Sequence, residues 1–252
     1  MKNLYTIVCI LLAASLQAQS SSWFEQGNSL YNQGKYADAI DQYQKVLDAG
    51  EHSAELYFNM ANAHYKLNHI APSIFYYEKA LQLNPNDKEI INNANFARNM
   101  TIDAIDVVPE VGFSRLFHNM VNLMGYNAWA IMAVTGVFIF VLLFLLYRFA
   151  SISSQKRVAF IISSFALGIA FLSVFMAYQK LRLERSDKPA IVFAQESRVN
   201  TEPNLRSEEA FRLHEGTKVQ VLDTLNTWKK IKLSDGSTGW IPEEDIRLLS
   251  PF

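Results

Sequence analysis

Residues 20–53 read SSSWFEQGNSLYNQGKYADAIDQYQKVLDAGEHS, and residues 54–87 read AELYFNMANAHYKLNHIAPSIFYYEKALQLNPND. The second stretch repeats the first 34 positions later: Trp23 aligns with Tyr57, Gly27 with Ala61, Tyr31 with Tyr65, Tyr36 with Ile70, Ala39 with Ser73, Tyr43 with Tyr77, and Lys45 with Lys79. Self-similarity at such a period marks a stacked architecture, because one unit cannot bury its apolar face alone and must lean on the next. A third segment, Lys88 to Met100, opens a further unit that no second helical pattern completes. Its Arg98 and Asn residues suit a polar cap. Two units and a cap make a small solenoid, which is expected to lean on another copy, a partner or the membrane-proximal segment.

The aligned residues resemble the tetratricopeptide repeat, whose small residues let two antiparallel helices approach while aromatics fill the gaps. Gln26 departs from it where an apolar residue is usual, and Glu51 stands where the second unit has the closing Pro85. Pro72 enters near the start of the second helix, where a first-turn proline is tolerated. The resemblance places the first helix of each pair on a concave face, which puts Asn28, Asn59, Asn62 and Asn93 there with Phe58, Tyr65 and Lys66. An Asn amide offers a donor and an acceptor, so a row of them can hold the backbone of an extended peptide, or simply solvate a helix face. These positions are expected to face away from the packed aromatics. Asn28 and Asn59 match two positions of the two-carboxylate clamp that holds a peptide C-terminus, but Phe24, Glu89 and Asn93 occupy its basic places. That departure argues against recognition of a C-terminal carboxylate.

Farther along, Trp129 to Tyr147 and Val158 to Tyr178 contain no Asp, Glu, Lys or Arg. Each is close to the ~20 residues a helix needs to cross hydrocarbon, where backbone groups must bond within their own segment. The domain reading is a signal peptide over 1–18, repeats with a capping helix over 20–100, a linker and juxtamembrane helix over 101–126, membrane helices over 127–147 and 158–178 joined by a loop over 148–157, a linker over 179–188, and a small domain over 189–250. Lys2, the apolar run Leu4 to Leu16 and the small Ala18 compose the signal. Cys9 is the only cysteine, and Ile7 and Val8 before it do not suit a lipoprotein signal. Cleavage after Ala18 leaves no thiol for disulfides or catalysis. Basic residues flank both ends of the hairpin, Arg148, Lys156 and Arg157 in the loop and Lys180, Arg182, Arg185 and Lys188 after it, so loop charge does not choose an orientation. The signal does, placing both polar regions outside the cytoplasm.

Thr101 to Glu110 is short and acidic and reads as a linker. Ser114 is expected to cap a helix in which Phe113, Leu116, Phe117, Met120, Val121 and Met124 recur at helical spacing. Such a helix lies in the membrane interface or covers the open end of the solenoid. Ser164 and Gly168, four apart, suit close packing of the two spans.

After residue 188 the period becomes two. Ala190 to Ala194, Ser197 to Thr201, Ala210 to Leu213, Lys218 to Leu222, Trp228 to Leu233 and Thr238 to Pro242 read as strands, with Asp235-Gly236 as a hairpin signal. Six short strands imply a small barrel. RVNTEPN, LHEGTKVQVLD and TWKKIKLSDGSTGWIPEEDI resemble the bacterial SH3 domain, with Asn200 where the family often has Arg. Ile231 and Leu233 share one face and Trp228, Lys230 and Lys232 the other. Trp240 is expected in the core, which leaves Trp228 as the candidate ligand contact or as a cap on the barrel end. The resemblance implies binding of cell-wall peptides or protein segments.

No catalytic, cofactor or metal constellation is present in the sequence. The histidines, His52, His64, His69, His118 and His214, are scattered, none sharing a helical face with a second ligand. Gly-rich phosphate loops, a serine elbow and zinc motifs are lacking, and a net charge of −1 gives no footprint for nucleic acid. The order of signal, repeats, paired spans and SH3-like barrel resembles the tetratricopeptide components of the Bat (aerotolerance) operons. That resemblance implies an envelope assembly with von Willebrand factor A-domain proteins, a further tetratricopeptide protein and a MoxR-type ATPase, and a link to oxidative stress. The expected function is a non-enzymatic scaffold anchored in the lipid bilayer; the alternative is a peptidoglycan-sensing subunit with the barrel as receptor.

Overall fold

The computed structural model describes residues 20–105 and 112–249. The expected signal, Met1 to Ala18, lies outside the described residues, as do residues 106–111, which include the second half of the expected linker Thr101 to Glu110. The chain forms two compact units: residues up to Val107 together with those from Lys188, and the intervening Val108–Asp187.

The first unit begins with two helix pairs and a single helix: α1 over 20–32, α2 Tyr36–Asp48, α3 Ala54–Lys66, α4 Ile70–Leu83 and α5 Lys88–Arg98. Local chemistry starts two of them. The Ser53 hydroxyl accepts from the Leu56 amide, and one Asp87 oxygen accepts from the amides of Glu89 and Ile90, satisfying donors that a first helical turn leaves unpaired. Packing follows the repeat: Ala39, Ala61 and Ala71 are almost fully buried, and Tyr43 and Tyr77 fill the spaces beside them at 1% exposure each.

The C-terminal part is an antiparallel sheet of seven strands, β1 Pro189–Val192, β2 Glu196–Asn200, β3 Glu209–His214, β4 Lys218–Leu225, β5 Trp228–Lys232, β6 Thr238–Pro242 and β7 Ile246–Leu248, in the order β3-β2-β6-β5-β4-β1-β7. Ala190, Val192, Val199, Leu213, Val219, Val221, Ile231, Leu233, Ile241 and Ile246 form one core. Strand β7, which follows directly on a 3-10 turn, is a seventh strand that the sequence pattern did not reveal.

The solenoid leans on this sheet. Ala190 and Val192 of β1 face the sheet's own core, whereas Ile191 between them joins the core of the repeats together with Leu249. Ala190, Ile191 and Val192 are each at 0% exposure, so this strand is buried on both faces. Burying an Ile or Leu side chain stabilises by roughly 1.5–3 kcal/mol. The support expected from another copy, a partner or the juxtamembrane segment is thus supplied by the chain's own C-terminal domain.

The second unit holds α6 Phe113–Val121, α7 Tyr126–Phe149 and α8 Ser153–Ser186. Helices α7 and α8 are long and apolar enough to cross a membrane. Only residues 150–152 separate them, fewer than the expected loop, because backbone bonding continues past the ends of the apolar runs. Phe138, Phe165 and Phe171 are 66%, 70% and 70% exposed, a surface unsuited to water. The two helices meet where a Cβ on Gly136 would come 3.1 Å from Ala170 Cβ. The expected Ser164/Gly168 face is not the contact: a Cβ on Gly168 would meet nothing within 4 Å, and Ala159, Ser163, Ala166, Ala170, Ser173 and Met176 are buried instead. Helix α6 is capped by Gly112 rather than Ser114, which lies inside its first turn.

Candidate functional site

The asparagines expected in the groove form a ladder tied to the buried tyrosines. Asn28 Oδ1 accepts from the Tyr43 hydroxyl at 2.9 Å and from Asn59 Nδ2 at 3.0 Å. One repeat later Asn62 Oδ1 accepts from the Tyr77 hydroxyl at 2.5 Å and from Asn93 Nδ2 at 3.2 Å. Each rung joins the second helix of a unit, its own first helix and the first helix of the next unit. Burial raises the pKa of both tyrosines, so they remain donors at neutral pH. The expectation that these positions turn away from the packed aromatics is therefore corrected: Asn28 and Asn62 point their acceptors at them. Among the described residues no hydrogen bond uses Asn28 Nδ2, Asn62 Nδ2 or the Oδ1 atoms of Asn59 and Asn93. Donors and acceptors of this kind can match the two polar groups of a peptide unit.

All four asparagines are half-buried with the C-terminal domain in place. Tyr65 is drawn into the packing of the repeats, while Lys66 is exposed at the end of α3. Two residues missed in the sequence reading complete the rows. Glu25 stands 34 positions before Asn59, and Phe96 stands 34 after Asn62, exposed by 61%. The two rows thus carry a carboxylate at one end and an uncovered phenyl ring at the other. The 34-residue register, carried one step further each way, would have found both.

On the sheet, Trp228 is half-buried opposite Pro242, and Trp240 is half-buried opposite Lys230 and Asn200. Trp240 is not in the core as expected. Gly239 and Ile241 take the inward positions of β6, and a Cβ on Gly239 would come 2.5 Å from Val199 Cγ1, so only the absence of a side chain fits there. Alternation then sends Trp240 to the face that Trp228 shares. Lys229, inward beside Ile231, is buried with its Nζ 3.0 Å from Glu243 and 3.2 Å from Thr224 Oγ1.

Polar contacts also secure the sheet to the repeats. Glu78 of α4, 6% exposed, accepts from Arg98 Nη2 at 2.6 Å and from Lys218 Nζ at 2.7 Å. Asp103, in the stretch read as a linker, accepts from the His214 amide at 2.7 Å, the Thr217 hydroxyl at 2.6 Å and His214 Nδ1 at 2.7 Å. Gln82 Nε2 donates to the Leu249 carbonyl at 2.9 Å. Phe193 meets Phe75 edge-on at 5.7 Å, and the Arg247 guanidinium lies 4.2 Å from the Phe193 ring centre.

These contacts set a pH dependence. Burial opposes ionisation of Glu78, but Lys218 and Arg98 outweigh it and hold its pKa low; the backbone and side-chain donors of His214 and Thr217 likewise outweigh burial at Asp103. Burial, then His69 and Arg247, lower His64 from 6.5 to about 4. A depressed folded pKa means that the unfolded chain binds the proton more readily. Stability of the first unit should therefore fall as pH drops from 6.5 towards 4 through His64, and fall further below about 4 as Glu78 and Asp103 protonate. Thermal unfolding across pH 3–8, roughly spanning both carboxylate and imidazole values, checks this; His64→Phe should flatten the upper window only.

Residues 54–87 match the tetratricopeptide repeat family, residues 27–68 match a second TPR repeat family, and residues 198–247 match the bacterial SH3 domain. The chain therefore carries tetratricopeptide repeats and a bacterial SH3-type domain, modules of protein interaction. Among curated proteins none matches the chain. Among solved structures it is similar to the first TPR of Spaghetti (RPAP3) bound to an HSP90 peptide, SRMEEVD, at 30% identity over 32% of this chain and 65% of that one, TM-score 0.31. It is also similar to YrrB, a TPR protein with an unusual peptide-binding site, at 16% identity over 71% of this chain and 88% of that one, TM-score 0.32, and to MamA at 12% identity over 69% and 86%, TM-score 0.29. The chain spans less than two thirds of the Spaghetti structure, and at these TM-scores none of the three bears on its function.

Proposed function

We propose that this chain is a non-enzymatic, membrane-anchored adaptor of an envelope protein complex, whose repeat groove takes an extended segment of a partner protein. The observation that carries this reading is the asparagine ladder. Its inner atoms are consumed in holding the repeats in register, and its outer donors and acceptors stay accessible while the SH3-type domain rests on α4. The ends of the groove narrow the ligand: Glu25 suits a basic residue, Phe96 an apolar one, and no Lys or Arg occupies the clamp positions Phe24, Glu89 and Asn93 to hold a terminal carboxylate. An internal, neutral to basic segment fits better than an acidic tail.

The signal reading and the pairing of α7 with α8 support a placement of the groove and the SH3-type domain on the periplasmic side of an inner membrane, as in the BatE-type components of aerotolerance operons. Partners there would be the other Bat-type envelope proteins, among them those with von Willebrand factor A domains. A second reading, the SH3-type domain as receptor for cell-wall peptide, draws on Trp228 and Trp240 sharing the outer face of β5 and β6. It predicts retention of the full chain on purified cell wall, lost with Trp228→Ala. Placement is tested by reporters fused after Met100 and after Phe252, expected to act outside the cytoplasm, and near Ser153, expected inside. A cytoplasmic signal from the Met100 fusion overturns the placement of the groove.

A further inference from the structure

Helix α6 has two faces, and among the described residues only one is packed against protein. Val121 is fully buried with Trp129 and Met176, and the Phe117 ring lies 6.4 Å from that of Phe175. The Trp129 indole donates to the Val121 carbonyl at 3.2 Å, and Lys180 Nζ donates to Asn122 Oδ1 at 2.9 Å. On the other face Phe113, Leu116 and Met120 are 83%, 63% and 48% exposed, followed by Leu123 at 72%.

The contacts also fix the level at which α6 sits. Its contacts on α8 run from Phe175 to Lys180, with Leu183 packed on the same cluster, the stretch in which the sequence changes from the apolar run ending at Tyr178 to Gln179, Lys180 and Arg182. Trp129, which holds the C-terminal end of α6, stands near the start of α7, at the same boundary of the antiparallel hairpin as the end of the α8 apolar run. An amphipathic helix at the height where hydrocarbon gives way to headgroups meets acyl chains on any apolar face that protein leaves open. Tyr126 and Trp129 at this level match the aromatic belt of such boundaries.

We infer that α6 is a membrane-interface anchor, with Phe113, Leu116 and Met120 inserted among lipid acyl chains at the boundary of the α7–α8 hairpin. The inference rests on that hairpin spanning the bilayer.

The test uses the full chain with Cys9→Ser, carrying Leu116→Cys, Asn119→Cys or Phe165→Cys labelled with an environment-sensitive fluorophore and reconstituted in vesicles of phosphatidylcholine and phosphatidylglycerol. Lipids brominated on the acyl chain should quench the Leu116 probe at least threefold more than aqueous iodide does, and the order should reverse at Asn119. Phe113→Cys repeats the measurement should a label at 116 disturb the helix. Quenching of the Leu116 and Phe113 probes by iodide as strongly as at Asn119, or shielding from both quenchers because protein covers the face, overturns the inference. The Phe165 probe, in mid-span, separates the two failures: lipid quenching there with none at 116 refutes the anchor alone, and none at either refutes the spanning hairpin as well.

Discussion

Gly216→Val should release the SH3-type domain from the repeats while leaving each folded. Gly216 has φ +88, and a Cβ there would lie 2.8 Å from Thr101 Cγ2 and 2.9 Å from both Ile70 Cγ2 and Ile74 Cδ1. A left-handed backbone costs an L residue about 1–2 kcal/mol, and overpacking a tight contact about 1–3 kcal/mol more. That is comparable with the burial of Ile191 and Leu249 that docking secures. Gly236→Val is the matched control: its φ of +95 imposes the same backbone cost, but nothing lies within 4 Å of its Cβ. Amide exchange should quicken in β1 and at the end of β7 for Gly216→Val only. Equal effects in the two variants would mean that the close approach of Gly216 to α4 contributes nothing to docking.

Removing the ladder should have two separable effects. The triple change Asn28→Ala, Asn59→Ala, Asn62→Ala strips the acceptors from the Tyr43 and Tyr77 hydroxyls. A buried donor left unpaired costs about 1–3 kcal/mol, so the repeats should lose roughly twice that in stability as well as affinity for the partner. Asn59→Ala with Asn93→Ala spares both tyrosine bonds and removes only amides that reach between units. At about 0.5–1.5 kcal/mol per lost bond, this pair should weaken capture roughly tenfold with helix content unchanged, as measured by circular dichroism and partner recovery from detergent extracts.

Much of the fold was legible because its determinants are local or periodic. The 34-residue register placed the helices of both units and the tyrosines between them, and the alternation in β4, β5 and β6 survived into the structure. What escaped depends on pairs distant in sequence. Glu78 meets Lys218 across 140 positions and Asp103 meets Thr217 across 114, so an acidic residue in a linker read as solvated when it in fact seals the turn into β4. Trp240 misled because its bulk suggested burial, whereas Gly239 beside it had already taken the inward slot. At the groove, residue types named the row, but the sequence could not show that half of its hydrogen-bonding capacity is spent inside the solenoid.

The proposed groove is expected to receive a segment of a partner protein. A photo-crosslinking amino acid placed at Phe96, on the groove and 61% exposed, and at Leu205, on a loop of the SH3-type domain and 84% exposed, compares two uncovered apolar positions in cells. A discrete protein adduct at position 96, little at 205, and loss of the first when Asn59 and Asn93 are both changed to Ala is the predicted result. Adducts of equal yield at the two positions, or an adduct at 96 that survives the asparagine changes, would contradict it.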